Sequence, residues 1–70
     1  MAWRYAPTVE DDDGSEVWTI HEVYDMGDEG DTHTLDRIAP WGKTRDELIA
    51  DLRMMLKDAI DGPVLDLRGG

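Results

Sequence analysis

Two histidines and a long run of carboxylates are the side chains here with metal-binding or acid–base potential. His21 and His33 would meet if a hairpin paired them, and a nearby carboxylate would complete a metal site. In a regular strand, however, His21 and Glu22 point to opposite faces and cannot serve one ion. There is no cysteine, and no spacing matches a zinc site. The segment from Asp25 to Asp31, running on to Asp36, has the sixth-position glycine and twelfth-position acid of a calcium loop. Gly27 nevertheless stands where a ligand is needed, and the flanks read as strands rather than helices. Both histidines are therefore expected as ordinary strand or turn residues and 25–31 as a solvated acidic turn, with no metal and no cofactor. No Ser/His/Asp or Cys/His arrangement and no phosphate loop is present, so no enzymatic activity is expected.

What remains is charge. The net charge is −10. Residues 1–31 hold ten acids against the single base Arg4, whereas residues 32–70 are nearly balanced. Such a field repels nucleic acids and anionic membranes and attracts basic surfaces. The acids form two groups: Glu10, Asp11, Asp12, Asp13 and Glu16, then Asp25, Asp28, Glu29 and Asp31. At about 3.3 Å per strand residue, the strand between them separates the groups by roughly 25 Å.

The elements that hold these groups follow from periodicity. Trp3, Tyr5, Pro7 and Val9 alternate with smaller or polar residues, a strand pattern. Pro7 cannot donate a ladder bond, which places this strand at an edge. Glu10 to Ser15 is a glycine-containing turn. Residues 17–24 are rich in β-branched and aromatic types and form the best strand, with Trp18, Ile20, Glu22 and Tyr24 on one face and Val17, Thr19, His21 and Val23 on the other. Thr32–Ile38 is a weaker third strand. Thr44 and Glu47 fit a capping box, followed by an apolar stripe of Leu48, Ile49, Leu52, Met55, Leu56, Ala59 and Ile60. Gly62-Pro63 stops the helix near Asp61. The expected fold is α+β: a three-stranded antiparallel meander with one helix on one face, and a short strand at 64–67. Residues 1–67 form a single domain and 68–70 a loose tail. Trp41 is expected to cap the core at the helix entrance or to serve as an exposed anchor, and Met54, on the polar side of the helix, is a second apolar contact.

Residues 18–24 and the segment Ala39-Pro40-Trp41-Gly42-Lys43-Thr44 through Leu52 resemble a family of short bacterial and phage proteins. The layout is similar to the partial RNase H-like domain of HicB-type antitoxins, over about residues 16–60. Where that pattern has an Asp-Leu-Pro-Gly-Cys-like turn, this chain has Ile38-Ala39-Pro40-Trp41-Gly42. The resemblance implies a fold and a protein-binding role, with no catalytic residue to transfer.

Together these features point to a non-enzymatic module that covers a basic nucleic-acid-processing partner: a toxin nuclease, or a defence-system subunit in the manner of an anti-CRISPR. Direct nucleic-acid or membrane contact is not expected. No apolar run approaches the ~18 residues of a membrane span, and the cytoplasm is the expected compartment. Two alternatives stand beside this. One is an oligomer-forming structural protein, since an open sheet face would favour a homodimer. The other is a ubiquitin-like carrier, because Leu67-Arg68-Gly69-Gly70 matches the ubiquitin tail.

Overall fold

A computed structural model describes residues 2–69. Its order is β1 (Ala2–Asp12), β2 (Ser15–Asp25), a 3-10 turn (Gly27–Glu29), β3 (Asp31–His33), α1 (Arg45–Asp61) and β4 (Leu65–Asp66). The four strands form one sheet in the order β3-β2-β1-β4. β1–β2 and β2–β3 are antiparallel, while β4 runs parallel to β1. The meander is thus a four-stranded mixed sheet. α1 is the connection that carries the chain from the β3 margin to the β4 margin.

The β1–β2 ladder is longer than the sequence pattern suggested, with Asp12 opposite Ser15 and Ala2 opposite Asp25. Only Asp13 and Gly14 lie outside it. Their φ angles of 51° and 81° are the positive values that a two-residue type I′ hairpin demands. The acids at 10–12 therefore belong to a strand rather than to a turn.

β1 is central, not an edge, and Tyr5 to Val9 are all buried. Proline is tolerated because of parity. The Tyr5 N–H and the Val9 carbonyl both point away from β2: the first donates to the Asp58 carboxylate at 3.0 Å, the second accepts from Leu67 N–H at 2.9 Å. Pro7 lies between them on the same side, and its missing N–H falls past the end of β4, which pairs only with Thr8 and Val9. No ladder bond is lost.

β3 is shorter than the expected 32–38. After His33 the chain leaves the strand, although Thr34 and Ile38 N–H groups still donate to Glu22 and Ile20 carbonyls. The intervening residues form a strap over the Thr8/His21/Val23 face of the sheet. The opposite face meets α1.

The helix begins as expected: the Thr44 hydroxyl accepts from Glu47 N–H at 3.1 Å, and Gly62 N–H donates to the Asp58 carbonyl at the far end. No described helix is long and apolar enough to cross a membrane. Only half of its apolar stripe is used. Met55 is the one buried helix residue, and Asp51 and Asp58 turn toward β1 with it.

Candidate functional site

The three tryptophans are all strongly exposed: Trp3 48 %, Trp18 60 % and Trp41 69 %. Large indole surfaces left in water are what distinguishes a contact site from a core. Trp3 and Trp41 face each other across an open cleft of about 460 Å³ between the sheet and the entrance of α1. Met54, Lys43 and the carboxylates of Glu22 and Glu47 also line it. The two apolar candidates of the sequence, Trp41 and Met54, are thus brought together. Trp41 does not cap the core: its ring lies at the rim, and only its backbone N–H is anchored, donating to Asp51 at 3.1 Å.

Asp51 is the hinge pin of this cleft. Its second oxygen accepts the Tyr5 hydroxyl, joining sheet, loop and helix at one carboxylate. Burial, reinforced by the Asp51 charge, pushes the Tyr5 phenol well above its ordinary value of 10.0. Tyr24 is raised too, chiefly because its hydroxyl donates to Glu22. Glu47 makes no return bond to Thr44, so the capping box is half formed and its carboxylate is left to the cleft.

Trp3 also lines a second, smaller hollow of about 240 Å³ with Arg4, Asp25 and Asp31. Asp25 and Asp31 sit directly opposite each other, and Asp28 and Glu29 lie on the exposed turn between them. Asp25 accepts Gly27 N–H at 2.8 Å. Among the described residues none of these four carboxylates has a cationic side chain within 4 Å. Trp3 borders both hollows, which otherwise belong to opposite faces of the β1–β2 ladder.

No family model, characterised protein or solved structure matches this chain.

The other acidic group has a different fate. Glu10 turns inward at 20 % side-chain exposure and accepts from Thr19 Oγ1 at 2.5 Å, His21 Nε2 at 3.2 Å and Arg37 Nε at 3.3 Å. The Thr19 hydroxyl, then His21, hold its carboxyl below the usual range. Arg37 also pairs with Asp12 at 3.3 Å, and Arg68 bridges Glu16 at 3.0 Å and Asp66 at 2.9 Å. Asp11 accepts Gly69 N–H at 3.0 Å. Arg68 and Gly69, expected to be loose, are thus held against the hairpin; Gly70 lies outside the described residues. Only Asp13 in this group has no such partner among the described residues. The sequence offered no signal for this, since Arg37 and Arg68 stand 25 or more residues from the acids of this group that they meet.

His21 is fully buried, and its Nδ1 lies 2.9 Å from the Thr34 carbonyl oxygen. His33 stands opposite Val23 rather than His21, and its own Nδ1 donates to the same carbonyl at 2.8 Å. The two rings meet edge to face at 6.0 Å, fastening the strap instead of converging on an ion. Among the described residues no group of three His, Asp or Glu side chains is placed to hold a metal.

Proposed function

We propose that this chain is a non-enzymatic binding module for a basic protein. An exposed arginine- or lysine-bearing segment of the partner lies along the Trp3–Trp41 cleft and reaches the Asp25/Asp28/Glu29/Asp31 pole. The observation that carries this is the pair of exposed indoles on one cleft, with Trp3 also bordering the end of the ladder where four carboxylates lack an ion-pair partner among the described residues. Aromatic faces beside carboxylates suit guanidinium groups, which stack on the first and pair with the second. Apolar anchors then set the lifetime of the complex, and the acidic pole sets its rate of formation. The resemblance over residues 16–60 supports a toxin nuclease as the partner, with a subunit of a nucleic-acid-targeting defence system as the other version.

The test is capture from a cell extract on immobilised protein, followed by rate measurements on the retained species. A basic protein should be held. Its association rate should fall at least tenfold between 50 and 500 mM salt, and Trp41→Ala should mainly speed dissociation. Retention of nothing basic, or an association rate indifferent to salt, would overturn the proposal.

A further inference from the structure

The outer flank of α1 is the surface that the fold leaves unfinished. Leu52, Leu56 and Ile60 are 44 %, 61 % and 72 % exposed, and Val64 continues the row at 53 %. Helix residues four apart line up, so Leu52, Leu56 and Ile60 form one apolar ridge, and Val64 is exposed just past the helix end. It points away from β1 because Asp51, Met55 and Asp58 occupy the inward flank.

The size of the molecule says how much covering is needed. Its accessible surface is 5284 Å² at 7.9 kDa, whereas a folded monomer of that mass exposes about 4,400 Å². The excess of roughly 900 Å² matches the ~800 Å² that each partner buries in an interface of standard size. The radius of gyration of 13.0 Å likewise exceeds the ~11 Å of a compact 70-residue domain, and the shortest dimension is 20 Å.

Charge identifies the occupant. Nine of the seventeen acids gather at the two ends of the β1–β2 ladder. α1 carries Arg45, Arg53 and Lys57 against Asp46, Glu47, Asp51, Asp58 and Asp61, and of these acids Asp51 and Asp58 are turned to β1. The three cations have no carboxylate within 4 Å among the described residues. The outer flank of the helix is therefore a face on which two copies of a −10 chain approach with little repulsion. We propose that α1 docks antiparallel on α1 of a second copy about a two-fold axis near Leu56, with Leu52 of one chain against Ile60 of the other.

Sedimentation equilibrium of the full chain from 1 to 100 μM tests this. The expected mass is twice 7.9 kDa, and the dimer should tighten between 50 and 500 mM salt as screening relieves the mutual repulsion. Binding of a basic partner weakens over the same range, so failure of one proposal is separable from failure of the other. Leu56→Glu should weaken self-association at least 100-fold with an unchanged far-UV spectrum, whereas Leu35→Glu, off the helix, should not. Should Leu56→Glu unfold, the wild-type melting temperature decides, because a dimer's rises with protein concentration. A concentration-independent mass of 7.9 kDa and melting temperature, or a Leu56→Glu chain that still dimerises, would overturn the proposal.

Discussion

Replacing Asp51 by alanine should cost this protein a large share of its stability, although the residue belongs to no hydrophobic core. Two donors depend on it: the Tyr5 hydroxyl from the sheet and the Trp41 N–H from the loop before α1. Tyr5 is 5 % exposed, so its hydroxyl is not readily handed to water. A hydrogen bond to a charged acceptor contributes about 1.5–3 kcal/mol and a neutral one about 1. Trp41 N–H is accessible enough to recover part of its loss in solvent. Asp51→Ala should therefore destabilise by about 2–3 kcal/mol and Tyr5→Phe by about 1.5. The total available at this length is only roughly 4–10 kcal/mol. Because both substitutions remove the same bond, the double variant should fall short of the sum by about 1–1.5 kcal/mol. Urea unfolding followed at 222 nm, at one fixed protein concentration, reads this directly. With a slope near 1 kcal/mol/M, the Asp51→Ala midpoint should drop by about 2–3 M. An Asp51→Ala variant within 0.5 kcal/mol of wild type, or strictly additive effects in the cycle, would refute the joining role assigned to this carboxylate.

Two further outcomes follow from the same geometry. At Gly42 an added Cβ would lie 2.5 Å from Leu48 N and 2.7 Å from the Glu47 carbonyl carbon, both backbone atoms of the first helical turn. Gly42→Ala should cost about 1–3 kcal/mol as overpacking, visible as a lower melting temperature; an unchanged melt would mean the helix entrance is free to shift. Glu10 has a folded pKa below its unfolded value of 4.5, so its contribution is complete above that pH and disappears as the pH falls through the folded value. The stability gap between wild type and Glu10→Gln should accordingly be widest at pH 6 and close toward pH 3. A gap independent of pH would show that the Thr19–His21–Arg37 cluster does not rely on the carboxylate charge.

The long β1–β2 hairpin and the capped helix were legible because their information is local. Alternation over Trp3–Val9 and 17–24, the hydroxyl of Thr44 and the Gly62-Pro63 stop each act within a few residues. The position of β1 was not legible. Pro7 argued for an edge, and only the phase of the β2 pairing reveals that its missing N–H falls on the unused side. The helix was read as seven apolar residues on one stripe, yet the sheet takes up only the flank carrying Met55, because Asp51 and Asp58 have backbone and phenol donors to satisfy on β1. Among the acids, composition placed two equal poles. Folding gives three acids of one group an arginine partner, Glu10 and Asp12 through Arg37 and Glu16 through Arg68, and gives the other group none among the described residues, a distinction made by contacts of long sequence separation. Trp41 and Met54 were singled out as isolated anchors; that Trp3 joins them depends on how the helix entrance is pinned.

The bond from Tyr5 N–H to Asp58 bears on how this chain behaves when crowded. A carboxylate occupies the place where an incoming backbone would otherwise dock. Beyond it β4 covers Thr8 and Val9, and on the other side β3 with the Thr34 and Ile38 N–H groups takes up β2 from Ile20 to Asp25. The open stretches of β1 and β2 are thereby broken into short lengths rather than one long row from which fibrils grow by successive addition of strands. Concentrated solutions should accordingly stay clear, with assembly stopping at small, closed species.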